Sequence, residues 1–244
     1  MRSYGERLIA SGHMEGPNGA LIPINSQISL SEGIFLERIV KDIRPGVSLE
    51  VGVAFGVSSL FICGALKEIG GRRHIAIDLG PIRKEGSNEL DRFGLGIYNL
   101  ERCGYSHLLE IWESPSELAL PELLRRGRRI QFAFIDGWHS FDHTLVDFFY
   151  VNKMLDVGGV VAFHDAVHPN VRKVIRHVMT YPAYRLYGAS EIEKPVFSTT
   201  RKGPEKAIAY LLFLIRRFTP RRPNCVALMK IEEDKRPWQW FVNF

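Results

Sequence analysis

Ser48–Ser59, SLEVGVAFGVSS, reads as a strand that ends in a glycine-rich turn and continues into a helix. Leu49 and Val51 supply the apolar strand. Gly52 and Gly56 let the backbone turn tightly and come close to a ligand. Ser58 and Ser59 open the helix, where backbone N–H groups have no intrahelical partner. The spacing is G-x-x-x-G and not the G-x-G-x-x-G of dinucleotide sites, which counts against a pyrophosphate cradle. Two later stretches complement it: FAFIDGWHSFDH, Phe132–His143, and LDVGGVVAFHDA, Leu155–Ala166. Each sets a carboxylate and a histidine just beyond an apolar run.

Outward from these stretches, strands and helices alternate. Val47–Val51, His74–Ile77, Leu108–Trp112, Ile130–Ile135 and Val160–Phe163 read as strands. Helices over Val57–Ile69, Leu90–Cys103, Glu117–Arg125 and Leu145–Leu155 separate them. Ser31–Ile43 and Val171–Thr180 add flanking helices, the first capped by Ser29 or Ser31. Short strands near Tyr184–Tyr187 and Val196–Thr200 are expected to close the sheet. Such alternation implies right-handed crossovers, hence an α/β, Rossmann-like, doubly wound fold. The expectation is a mostly parallel seven-stranded sheet with helices on both faces. Ligands then bind beyond the carboxyl ends of the strands, near the switch in strand order.

The 244 residues are 45% hydrophobic and 24% charged, enough for one sizeable core. The expected division is an arm over 1–29, a ligand-binding domain over 30–203 and a helical, aromatic extension over 204–244. The net charge of +5 is too small to argue for nucleic acid unless it clusters, and Arg216, Arg217, Arg221 and Arg222 do cluster. Those arginines are the whole case for a nucleic-acid module, and we disfavour it. Three widely spaced cysteines without a CxxC fit a reducing compartment, and no apolar signal core opens the chain, so a cytoplasmic location is expected. Glu205–Arg217 has the spacing of an amphipathic helix. It is read as a packing or homo-oligomer surface, with contact to a membrane surface as the sharper alternative. Trp238–Phe241 is expected to pack on the same or a neighbouring subunit.

Asp78 follows the second strand, where a carboxylate can accept both hydroxyls of a ribose; the plain alternative is a solvated acid beside a tight turn. Asp136 and Asp165 follow the fourth and fifth strands, with His139 and His164 close by in sequence. Carboxylates suit Mg²⁺, and added imidazoles favour another divalent metal. Trp138 is the better candidate for a pocket wall, and Phe149 for helix core. Asp142, His143 and Asp147 read as cap and dipole partners of the following helix. A metal-dependent hydrolase could use the acids and histidines, and an NAD-type oxidoreductase the fold. The first leaves the glycine turn unexplained, and the second lacks its motif.

The first stretch, with Asp78, resembles motif I of class I S-adenosylmethionine-dependent methyltransferases. Residues 135–165, IDGWHSFDHTLVDFFYVNKMLDVGGVVAFHD, are similar to the corresponding run of bacterial small-molecule O-methyltransferases of the macrocin and cephalosporin-hydroxylase-like group. The resemblance implies S-adenosylmethionine as methyl donor and a hydroxylated small molecule as acceptor. It implies that Glu50, Gly52 and Gly56 line the methionine moiety, that Asp78 holds the ribose, that Ser114 and Ser116 lie where adenine is contacted, and that Ser58 and Asp136 also bind the cofactor. Pro115 departs from the pattern, since the family often has Asp there. His139 is our first choice for the base that takes the acceptor's proton, with Asp136 beside it. Resemblance to metal-dependent catechol-type enzymes puts metal ligands at Asp136 and Asp165. Their third ligand falls on Ala166, so His164, His139 or His168 must replace it.

Overall fold

The computed structural model describes residues 3–25, 27–82, 89–192 and 222–243. Its frame is a seven-stranded sheet. β3 (Val47–Val51), β4 (Arg73–Asp78), β5 (Leu109–Glu113), β6 (Ile130–Ile135) and β7 (Leu155–Phe163) run parallel in the order β5-β4-β3-β6-β7. β3 pairs with β4 on one side and β6 on the other, so the strand order reverses there. Crevices for ligands form at that point, outside the carboxyl ends. β8 (Tyr184–Ala189) and β9 (Val226–Lys230) complete the sheet, with β9 antiparallel between β7 and β8.

β-strand alternation sorts the core into two layers. Phe132, Phe134, Val160 and Ala162 face α2 (Leu30–Ile43), α3 (Val57–Ile69) and α4 (Arg92–Arg102). Ala133, Ile135, Val161 and Phe163 face α5 (Ser116–Arg125), α6 (Phe141–Met154) and α7 (Pro169–Val178). The expected doubly wound fold is therefore observed.

Two departures from the sequence reading have physical causes. Val226–Lys230, read only as part of a helical, aromatic extension, forms β9 and fills an inner position in the sheet. Its buried Lys230 donates to the carbonyls of Asn152 at 3.0 Å and Leu155 at 2.9 Å, capping the C-terminal end of α6 with a cation. Val196–Thr200 and Glu205–Arg217 lie outside the described residues, as do Arg216, Arg217 and Arg221. The N-terminal arm packs on the core. α1 (Tyr4–Ser11) buries Leu8, and the hairpin β1 (His13–Glu15) and β2 (Leu21–Pro23) buries Met14. The Tyr4 hydroxyl donates to Asn99 Oδ1 on α4 at 2.6 Å. Finally, α6 starts at Phe141 because Ser140 caps it, accepting from the His143 N–H at 3.3 Å.

At the C-terminal end, Trp238 is 96% exposed and Phe241 79%, so neither packs on its own chain. Phe149 is half exposed too, lying under the Lys153 ammonium, and is not core. Cys63, Cys103 and Cys225 are free thiols. No helix among the described residues is long and apolar enough to cross a membrane.

Candidate active site

A cleft of about 1800 Å³ opens at the carboxyl ends of β3, β4, β6 and β7. Pockets for one small molecule usually span about 300–1,000 Å³. The cleft therefore has room for two ligands side by side.

The glycine turn forms one wall. Gly52 has φ +84° and Gly56 φ +70°, both left-handed. A side chain at Gly52 would run into the Asp136 carbonyl, and one at Gly56 would meet the backbone of Gly96 on α4 at 3.1 Å. These two glycines thus press the loop against β6 on one side and α4 on the other. Asp78 ties the loop down further. Its Oδ2 accepts the N–H groups of Val53 and Ala54, each at 2.8 Å, and its Oδ1 accepts that of Gly80 at 2.8 Å. Asp78 faces the cleft, as expected, but much of its hydrogen-bonding capacity already serves the loop.

Glu50 corrects the sequence reading. It is fully buried beneath α3 and does not reach the cleft. Its carboxylate accepts from the hydroxyls of Ser58 and Ser59 and lies 3.0 Å from His74 Nε2. It fixes the first turn of α3. Ser58 borders the cleft with its hydroxyl spent on Glu50. Ser114, Pro115 and Ser116 line the wall beyond β5. Ser116 is also bonded to Asp147, which is buried inside α6 and is not a helix cap. Burial, against the pull of Ser116 and His143, pushes the Asp147 carboxyl up to about 6.

At the other end Asp136, His139 and Asp165 converge, with one ligand atom from each within 4.8 Å of the others. His139 Nε2 lies 3.2 Å from Asp165 Oδ2. Asp165 holds φ +48°, a sparsely populated conformation for a non-glycine residue that aims its carboxylate toward the site. Trp138 is 64% exposed on the cleft rim, where the sequence placed it. Two carboxylates and an imidazole so placed are a donor set that fits a divalent cation.

His164 is not part of that set, which corrects the ligand expectation. Its Nδ1 lies 2.8 Å from Asp136 Oδ1 and its Nε2 3.2 Å from Glu32 Oε1, so both ring nitrogens face carboxylates. Burial works against the charged ring, but Asp136 and Glu32 outweigh it and hold His164 up at about 11. Burial likewise opposes ionisation of Glu32. The hydrogen bond and charge of His164, with help from Ser29, bring that carboxyl down to about 2. Glu32 and Asn224 were not legible as site residues. Glu32 completes a capping box with Ser29, and that role accounts for it fully in sequence terms. Asn224 sits in a segment with no motif.

Residues 49–166 match the profile of a family described as a methyltransferase domain. The chain is 30% identical over 143 residues to tapetum-specific methyltransferase 1 of Arabidopsis thaliana, covering 57% of this chain and 55% of that protein. It is 26% identical over 146 residues to caffeoyl-CoA O-methyltransferase 2 of Petunia hybrida, covering 57% and 53%. The chain spans about half the length of the curated relatives it matches. Among solved structures, the O-methyltransferase from Bacillus cereus in complex with SAH superposes with a TM-score of 0.60 at 16% identity, over 85% of this chain and 84% of that one. That likeness is one of fold.

Proposed function

Since the chain belongs to the class I S-adenosylmethionine-dependent methyltransferases, we propose that it transfers a methyl group from S-adenosylmethionine to a hydroxyl of a small molecule. The observation that carries this reading is the union of two half-sites in one cleft. The Gly52–Gly56 loop and Asp78 stand at one end, and Asp136, His139 and Asp165 at the other.

The donor supplies a sulfonium methyl, which a nucleophile can take by in-line displacement. The chain's own part begins with the loop N–H groups and α3, which Asp78 and Glu50 hold in place to receive the donor. Asp165, 3.2 Å from His139 Nε2, orients the ring and leaves Nδ1 to accept a proton. The acceptor hydroxyl gives its proton to Nδ1. The oxygen–methyl bond forms as the sulfur–methyl bond breaks, and S-adenosylhomocysteine leaves. Trp138 walls the acceptor side, and alignment in the cleft contributes the rest of the rate.

The same three residues suit a divalent metal. Asp136, Asp165 and His139 would hold it, and it would lower the pKa of a bound hydroxyl. An imidazole among the ligands suits Mn²⁺ or another transition ion better than Mg²⁺. His139 then serves as ligand and not as base. Neither a hydrolase nor an NAD-type oxidoreductase accounts for both half-sites.

Calorimetric titration with S-adenosylhomocysteine and with NAD tests the donor site. We expect binding of the first alone. Transfer of labelled methyl to a panel of catechols, glycosides, hydroxylated polyketides and caffeoyl-CoA, the last taken from the relatives' names, tests the chemistry. Binding of NAD without S-adenosylhomocysteine would overturn the proposal.

A further inference from the structure

Glu32 uses its two carboxylate oxygens for different tasks. Oε2 accepts the Ser29 N–H at 2.6 Å and closes the capping box of α2. Oε1 accepts from Asn224 Nδ2 at 2.9 Å and lies 3.2 Å from His164 Nε2. Glu32 is 4% exposed, so the second task takes place away from water. Asn224 comes from the opposite end of the chain, and its carbonyl also accepts the Ala166 N–H at 2.8 Å, just past Asp165. Glu32, Asn224 and His164 thus form one hydrogen-bonded chain along the cleft wall that ends on Asp136 Oδ1.

Asp136 and Asp165 lie within a few ångströms of each other, so the direction each carboxylate faces decides what the cluster can hold. The His164 ring stands between Asp136 and Glu32, with Nδ1 2.8 Å from Asp136 Oδ1 and Nε2 3.2 Å from both Glu32 Oε1 and Asn224 Nδ2. Glu32 and Asn224 therefore hold the far side of the ring that meets Asp136, and without Asn224, Oε1 loses the donor that holds it in line.

We propose that Glu32 and Asn224 are positioning residues for the transfer, fixing the His164 ring so that the Asp136 carboxylate keeps its orientation beside His139 and Asp165. The inference rests on the reaction proposed above, and it reaches the acceptor end of the cleft only. The donor loop is held by Asp78 and Glu50 through separate contacts.

Glu32→Gln isolates the role, because glutamine still serves in a capping box but presents no second anionic oxygen to His164. Asn224→Ala removes the other member of the chain. The parent chain and both variants are compared for S-adenosylhomocysteine affinity, for Mn²⁺ affinity by electron paramagnetic resonance, and for kcat and KM of the donor. The expected result is unchanged affinity for S-adenosylhomocysteine and unchanged donor KM, with Mn²⁺ affinity or kcat lower by about 10–100-fold, the usual cost of an outer partner. His164→Gln supplies the control for a merely structural effect. In that background Glu32→Gln should cost little further, giving a strongly non-additive cycle. Folded variants with parental Mn²⁺ affinity and kcat would overturn the inference and leave the proposed reaction standing. So would an additive cycle, or a loss confined to donor binding. A parent chain that binds S-adenosylhomocysteine but neither holds Mn²⁺ nor methylates any acceptor would overturn both.

Discussion

A Cβ placed on Gly52 would fall 2.1 Å from the carbonyl oxygen of Asp136. The residue that opens the donor loop and the residue that begins the acceptor cluster are therefore in backbone contact, and the two half-sites share a wall. Gly52→Ala has to break that contact. It also places a side chain at φ +84°, which costs about 1–2 kcal/mol, with about 1–3 kcal/mol more for overpacking. A lower urea midpoint is expected together with loss of S-adenosylhomocysteine binding by calorimetry. A variant with parental stability and affinity would show that the two walls move independently.

Asp78 offers a gentler probe. Its carboxylate accepts three backbone N–H groups, from Val53, Ala54 and Gly80. Asp78→Ala leaves those donors to water and removes the acid that faces the cleft. We expect S-adenosylhomocysteine affinity to fall by about 1–3 kcal/mol, the worth of hydrogen bonds to a charged group. Thermal stability should fall as well, because the loop loses its anchor. Lower affinity at an unchanged melting temperature would mean that Asp78 serves the ligand and not the loop.

The parallel strands and the helices between them were legible because apolar runs and glycine punctuation repeat along the chain. The acceptor cluster was legible for a related reason: Asp136, His139 and Asp165 each follow a strand, and in this fold that position faces the ligand. The misreadings came from contacts between distant segments. Glu50 looks like a ligand residue by position, but it sits on the face of β3 that lies under α3. His164 and Asp165 are adjacent and both line the cleft, so sequence cannot say which one joins the cluster. Asp165 meets His139, whereas the His164 ring lies between Asp136 and Glu32. β9 was missed because Val226–Lys230 is a short run in a segment with no alternation around it. Its strand character comes from the open edge of β7.

Asp147 predicts a pH dependence of stability. Burial raises its carboxyl to about 6, whereas in an unfolded chain it would titrate near about 3.9. Between those values the native state holds a proton that the unfolded state has lost. Stability therefore falls as pH rises from about 4 to about 6 and stays lower above that. One carboxylate oxygen, Oδ1, is buried with no hydrogen-bond partner, which fits a group whose ionisation is unfavourable. Asp147→Asn should match the parent at pH 4 and exceed it at pH 8 by about 1–3 kcal/mol, since each tenfold change in proton affinity is worth roughly 1.4 kcal/mol. Urea midpoints at the two pH values read this directly. A variant less stable than the parent at pH 8 would mean that the ionised carboxylate is needed.

His139 carries the most specific expectation. Its Nε2 faces Asp165, and its position in the loop after β6 sets it beside both Asp136 and the cleft. If it accepts the proton of the acceptor hydroxyl, His139→Ala should lower kcat by about 10²–10⁴-fold while S-adenosylhomocysteine binds as before. If His139 instead completes a metal site, the same variant should lose Mn²⁺ affinity, and EDTA should suppress the parent until Mn²⁺ is restored. Metal affinity measured on the resting variant separates the two roles without reference to turnover. Asp165→Asn adds a further check. As the partner of a base it should leave most of the Mn²⁺ affinity intact and lower kcat by misorienting the ring, whereas as a ligand it should weaken both. A His139→Ala enzyme with the parental kcat, pH profile and Mn²⁺ affinity would remove His139 from the reaction and leave Asp136 as the group nearest the acceptor.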